Sequence, residues 1–172
     1  MAKIDGFNVG KKYAVVTSTT PTGSVNSTSI TLIHSILIPA NTFVADDIVT
    51  IETCNSKSAT NNTFSQYFYI NTSASLSGAI LIATNTGIGA TTRAAQLYRR
   101  LAINVPAGAG NATISINSTF NVRDDIGGTN NYSTGFSTLL INWTVDQYLI
   151  VAGSVVNTSD SLTCQWIKAA NG

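Results

Sequence analysis

Between residues 112 and 123 the chain alternates with a period of two. Ala112, Ile114, Ile116, Phe120 and Val122 fall on even positions, and Thr113, Ser115, Asn117, Thr119, Asn121 and Arg123 on odd ones. Successive side chains of a strand point to opposite faces, so this spacing makes a strand with one apolar and one wet face and fits a helical period poorly. The same alternation sets Leu97, Leu101, Ile103 and Val105 against Gln96, Arg100 and Asn104, with Arg99 out of place on the apolar side. It also sets Leu139, Ile141, Trp143 and Val145 against Thr138, Asn142 and Thr144. Further strands are expected over 13–18, 29–38, 48–54, 64–70, 79–83, 147–156 and 161–168, all rich in β-branched or aromatic residues.

The joints carry turn chemistry: Pro21-Thr22-Gly23-Ser24, Pro39-Ala40-Asn41, Asn55-Ser56-Lys57, Thr86-Gly87-Ile88-Gly89, the Gly108-Ala109-Gly110 region after Pro106, and Asp124 through Asn131. No long helical segment lies between them. Short strands at regular spacing with such joints make an antiparallel sandwich or barrel. The expected fold is all-β: an antiparallel β-sandwich, jelly-roll-like, of about ten strands. Residues 1–28 are read as an N-terminal arm and linker and 29–172 as the sandwich domain, because residues 19–28 are polar and rich in turn formers.

A chain of 172 residues is one domain in length. Its charged residues are only 10% of the total, with a formal net charge of +1, while hydrophobic residues reach 44%. Ser, Thr and Asn together supply 59 residues, so neutral polar groups stand where charges usually do. The apolar fraction suffices for a core, which separates this chain from disordered sequences of low hydrophobicity and high charge. Basic residues come singly or in pairs, as at Lys11-Lys12 and Arg99-Arg100, and no face gathers the several cations a phosphate backbone demands, so nucleic acid is not expected as a partner. The longest apolar runs, such as Tyr148 to Ala152, fall far short of a membrane-spanning helix. The first residues, Met1 to Phe7, lack a basic flank, an apolar stretch and a cleavage site, so no secretory signal is read there and synthesis in a cytoplasm is expected. Cys54 and Cys164 are accordingly expected to be reduced rather than bridged.

Candidate chemistry is sparse. His34 is the single histidine, and Ser35 follows it on a strand, pointing to the opposite face, so the two do not begin a catalytic triad. One His and two distant Cys are too few for a tetrahedral zinc set. Asp46-Asp47 and Asp124-Asp125 sit near turns; Asp124 and Asp125, in a loop running to Asn131, are the weak calcium candidates, set against the ordinary use of Asp and Asn in turns. Eight Asn-x-Ser/Thr sequons, from Asn26 to Asn157, follow from the abundance of Ser and Thr. Trp143 and Trp166 share parity with apolar neighbours and are expected in the core. Tyr67-Phe68-Tyr69 places rings on both faces of one strand, where they suit a ligand or a subunit contact. No catalytic residue and no cofactor are expected.

The segments Ile36-Leu37-Ile38-Pro39-Ala40-Asn41-Thr42-Phe43 with Asp46 to Ile51, Tyr69 to Thr84, and Gln96 to Ile103 resemble a β-sandwich domain of accessory virion proteins of tailed bacteriophages, among them head fibres and tail-fibre tips. The resemblance covers residues 29–168 in strand and turn patterns and implies a virion component. The start at Met1 and the short chain favour a small capsid-attached protein over a fibre tip. The expected function is therefore that of a structural virion protein, a capsid decoration or head-fibre component made in the host cytoplasm, which acts by assembly and not by catalysis. The alternative is a receptor- or glycan-binding knob that recognises host surface glycans. Lys3, Phe7, Lys11, Lys12 and Tyr13 are the expected contacts to the major capsid or another virion protein. A chain with few charges has little with which to protect a sheet edge, so pairing between subunits in a homo-dimer or homo-trimer is also expected.

Overall fold

The computed structural model describes residues 13–58, 60–86, 93–104, 113–116 and 136–171. Among the described residues there are ten strands: β1 (Val15–Ser18), β2 (Thr31–Ile38), β3 (Ile48–Ser58), β4 (Phe64–Asn71), β5 (Ile80–Thr86), β6 (Arg93–Ile103), β7 (Thr113–Ile116), β8 (Phe136–Leu139), β9 (Gln147–Val155) and β10 (Ser161–Asn171); of the alternating stretch 112–123 only 113–116 are described. All pairings are antiparallel. One sheet has six strands in the order β1-β10-β3-β6-β7-β8, and the other four in the order β2-β9-β4-β5. Without β7 and β8 the two four-stranded sheets have the interleaved order of a jelly roll; the β7–β8 pair extends one of them beyond β6.

The core lies between the sheets. Val49 and Ile51 of β3, Leu97, Leu101 and Ile103 of β6 and Leu162 and Ile167 of β10 meet Phe64, Phe68 and Ile70 of β4 and Leu149 and Val151 of β9, all essentially without exposed surface. Each such side chain contributes about 1.5–3 kcal/mol by leaving water. One end of the sandwich is closed by Phe43 and Trp143, whose rings meet edge to face with centroids 5.7 Å apart. Their loops are tied together by the Asn41 amide donating to the Trp143 carbonyl (2.8 Å) and the Ala40 amide donating to Asp146 Oδ1 (2.9 Å).

Several local expectations change. The stretch around Ile141 and Trp143 is a loop that turns at Trp143 and Thr144 and has no ladder partner, not a strand, although both side chains are buried. Asn55-Ser56-Lys57, expected as a turn, lies within β3, because Asn55 and Lys57 have partners inside the sandwich. Trp166, expected in the core, is only half-buried. The ladder between β10 and β3 passes from Cys164 opposite Asn55 to Trp166 opposite Cys54, so Gln165 is an extra residue and inward parity jumps from Cys164 to Ile167. Residues 14–25, assigned to the arm and linker, run along β10 as an edge of the sheet, and the Ser27 carbonyl then accepts the Val155 amide of β9. Beyond the β1 pairing, Ala14 and Asn171 are linked by two hydrogen bonds, and Val25 and Leu162 exchange backbone bonds of 2.8 and 2.7 Å. Residues 1–12 lie outside the described residues.

Candidate interaction face

The two sheets divide the charged residues unequally. Glu52, Lys57, Arg93, Arg99, Arg100 and Lys168 all belong to strands of the six-stranded sheet, and β2, β9, β4 and β5 hold no Lys, Arg, Asp or Glu. On the outer side of the six-stranded sheet Glu52 stands opposite both Lys168 and Tyr98. Beside them Arg100 is exposed, its Nε donating to Tyr98 Oη (2.5 Å) and its guanidinium carbon 5.7 Å from the Tyr98 ring centre. That is an ordinary solvated sheet face.

The outer side of the four-stranded sheet is of another kind. Leu149, Val151 and Val155 point into the core, so Tyr148, Ile150 and Ala152 point outward. Their ladder partners extend this into three rows across the sheet: Leu32, Ala152, Tyr67 and Thr84; Ser35, Ile150, Tyr69 and Leu81; Leu37, Tyr148 and Asn71. Tyr67 and Tyr69, two residues apart on β4, stack with centroids 6.1 Å apart and planes inclined by 29°. Burial pushes the Tyr69 hydroxyl above its ordinary pKa, and neighbouring Tyr67 adds to this. Ile150 and Ala152 are fully buried, whereas Leu37 (41%) and Leu81 (45%) on the flanking strands are exposed. The result is a face of aromatic and aliphatic side chains edged with hydroxyl and amide groups.

Both edges of this sheet are bulged. Between Leu32 and His34 the register of β2 slips by one residue against β9, and β5 slips likewise at Ile82 against β4. A bulge twists an edge strand away from the flat template on which another strand would pair. The bulge at Ile33 also turns His34 toward the interior, opposite core residue Val151. Burial holds its imidazole below the ordinary value of 6.5, and its Nε2 has no hydrogen-bond partner among the described residues.

The interior contains a second polar feature, which sequence reading missed. Inward parity along β3 runs through Val49 and Ile51 to Thr53, Asn55 and Lys57, so this sheet becomes polar toward one end. The Thr53 hydroxyl donates to the Trp166 carbonyl (2.8 Å), and Asn55 Nδ2 donates to Gln66 Oε1 (2.5 Å). Lys57 Nζ lies 3.1 Å from Asp160 Oδ1 with neither side chain exposed, and donates to the Thr60 carbonyl. The Thr60 amide and hydroxyl donate to the two Asp160 oxygens at 2.5 and 2.8 Å. Burial alone would raise the Asp160 pKa, but the Thr60 and Lys57 hydrogen bonds outweigh it and hold the carboxyl below its usual range. Lys57, Thr60 and Asp160 fasten the β3–β4 connection to the start of β10, while Gln66 Nε2 is buried without a hydrogen-bond partner among the described residues. The signal was the continued parity of Thr53, Asn55 and Lys57 behind Val49 and Ile51.

The residues singled out from sequence are dispersed. Asp47 Oδ2 accepts the Val44 amide (2.8 Å), a turn role, and Asp46 beside it has a positive φ of 67°. Asp124, Asp125, Lys3, Phe7, Lys11 and Lys12 lie outside the described residues. Tyr13 stands just before β1, exposed at 64%. Cys54 and Cys164 are both free thiols, and burial pushes both above the ordinary thiol pKa. Among the described residues no three His, Cys, Asp or Glu side chains gather to hold a metal ion, and no helix is long and apolar enough to cross a membrane. Comparison with family models, with curated proteins and with solved structures finds no match, so the jelly-roll order and the uncharged sheet face stand on the geometry alone.

Proposed function

We propose that this protein is a non-enzymatic structural component of a tailed-bacteriophage virion, a capsid-attached decoration or head-fibre protein that acts by assembling with copies of itself. The observation that carries the assembly reading is the partition of charge: one outer face is solvated by Glu52, Lys168 and Arg100, and the other is uncharged and built of Leu32, Leu37, Tyr67, Tyr69, Leu81 and Tyr148. Interface centres are depleted of charge and enriched in tyrosine, which is this face's composition. The virion part of the reading rests on the resemblance of residues 29–168 to phage accessory domains. The capsid or another virion protein is then held by Lys3, Phe7, Lys11, Lys12 and Tyr13.

Imaging of particles with and without the protein tests this: extra density on the capsid is expected, and absence of the protein from purified particles overturns the reading. Deletion of residues 1–12, which stops short of the Ala14–Asn171 hydrogen bonds, is expected to release the folded domain from the particle. Retention would remove the anchoring role. One observation favours a second reading, a glycan-binding knob: Tyr67 and Tyr69 stack on the outer side of the sheet with Ser35 in the Tyr69 row, an aromatic surface suited to a sugar ring beside a hydroxyl. A glycan array probed at about millimolar ligand, the weak end of specific binding, separates the two.

A further inference from the structure

We infer that the outer face of the four-stranded sheet is a two-fold interface that seats the same face of a second copy of this chain. The inference rests on the assembly reading above and names the surface and the partner.

The first support is the pattern of the strands themselves. A strand covered on one side alternates, as β3 does with Val49, Ile51 and Thr53 inward and Thr50, Glu52 and Cys54 outward. A strand covered on both sides reads as an unbroken apolar run. β9 reads Tyr148-Leu149-Ile150-Val151-Ala152, β4 Tyr67-Phe68-Tyr69-Ile70, and β5 begins Ile80-Leu81-Ile82-Ala83. The core covers one side of each; on the other side Ile150 and Ala152 have no exposed surface, Tyr67, Tyr69 and Tyr148 are half-buried, and Leu37 and Leu81 on the flanking strands remain exposed, so the apolar run is open at its flanks.

Charge selects the occupant. In a two-fold contact every residue of the patch meets the same patch of its partner, so any unbalanced charge is opposed by its like. This face has no charged residue to oppose, whereas the outer face of the other sheet carries Glu52, Arg100 and Lys168, which a second copy would have to desolvate and pair. A strongly charged partner would find no complement here. Addition of a strand at an edge is disfavoured by the bulges at Ile33 and Ile82, so contact is through the face and not the edges.

The area sets the strength. Four strands about 4.8 Å apart, with about seven residues each at about 3.3 Å, present a face of roughly 450 Å² in projection. Two such faces bury on the order of 1,000 Å², at the small end of specific interfaces. The pair is therefore expected to form in the micromolar range and to assemble fully only where copies are concentrated, as on a particle.

Sedimentation of the full chain from roughly 1 to 500 µM, a range that brackets an interface of this size, tests the inference. A reversible monomer–dimer equilibrium is expected. Leu37→Lys and Leu81→Lys, at exposed positions that tolerate a polar side chain, are each expected to weaken it at least about tenfold, or 1.4 kcal/mol. Thr50→Lys on the opposite sheet face is expected to leave it unchanged, and circular dichroism melting confirms that each variant is folded. A wild-type monomer throughout, a dimer insensitive to Leu37→Lys and Leu81→Lys, or a trimer overturns the inference, as does a monomer that binds glycan through Tyr67 and Tyr69. If the face pairs as described but the protein is absent from particles, the virion reading fails and this one stands. Protein found on particles without self-association through this face gives the reverse.

Discussion

Gly153 sits on β9 at an inward position between Val151 and Val155. A Cβ built on it would lie 2.7 Å from Leu162 Cδ1, 2.9 Å from Ile33 Cδ1 and 3.0 Å from the Ser65 carbonyl oxygen. The first two are tips of branched side chains, but Leu162 has no exposed surface and Ile33 is 7% exposed, so neither has open space to retreat into. The third is backbone of the paired strand β4 and gives way only if the ladder shifts. Gly153→Ala therefore overpacks the site at a cost of about 1–3 kcal/mol. A stiffer unfolded chain offsets about 0.4–1 kcal/mol of that, which leaves a net loss on the order of 1–2 kcal/mol. For a domain of this length each kcal/mol moves Tm by about 2–4 °C, so a fall of several degrees is expected by calorimetry.

The crowding makes a sharper claim about the pair. Leu162→Val withdraws the Cδ1 atom that lies nearest the added methyl, so the two substitutions together are expected to cost less than the sum of the singles, with a coupling of about 1 kcal/mol in a double-mutant cycle. A Gly153→Ala variant with unchanged or raised Tm refutes the packing argument. Strict additivity with Leu162→Val refutes the assignment of the clash.

Three further outcomes are expected. The half-buried His34 imidazole binds fewer protons folded than unfolded, so its contribution is complete above 6.5 and is lost as pH falls below that value toward the depressed folded pKa; His34→Phe is expected to flatten stability between about pH 7 and 5, measured by urea unfolding. Lys57→Met leaves the Asp160 carboxylate buried without its cation and is expected to destabilise more than Lys57→Met with Asp160→Leu; the Asp160 contribution itself is present above the ordinary carboxylate value of 3.8 and is lost as acid takes pH down through the lowered folded pKa. Trp143→Ala removes half of the Phe43–Trp143 closure and is expected to cost about 3–5 kcal/mol in denaturant unfolding, with the Ala40–Asp146 link loosened in hydrogen exchange at the Ala40 amide.

The fold was largely legible because alternation is a local property: each strand announces its own two faces. What was not legible depends on pairs of strands. Trp166 has the parity of Cys164, and nothing near it says that Gln165 is surplus; the bulge exists because β10 must keep register with β3 on both sides of it. Asn55 and Lys57 resemble a turn until Gln66 and Asp160 are brought opposite them. Ile141 and Trp143 alternate as a strand does because the loop has one wet side and one apolar side, and alternation cannot tell a ladder from a loop laid across the end of a core. The calcium candidates Asp124 and Asp125 and the anchoring candidates Lys3, Phe7, Lys11 and Lys12 lie outside the described residues.

The apolar run Tyr148 to Ala152 shows how an unremarked local signal acquires meaning from the sheet around it. As a sequence it is merely too short to cross a membrane, and by itself it is equally a piece of buried helix or of buried strand. Placed between β2 and β4, it becomes the centre of a sheet in which every strand lacks charge, while the sheet facing it across the core holds all the charged strand residues. A scarcity of charge spread evenly would leave both outer faces weakly solvated. Concentrated as it is, the same small number of charges keeps one face in water and leaves the other free to be covered. The low charge content is thus less a property of the whole chain than of one sheet, and the expectation of subunit contact moves from the edges of that sheet to its face.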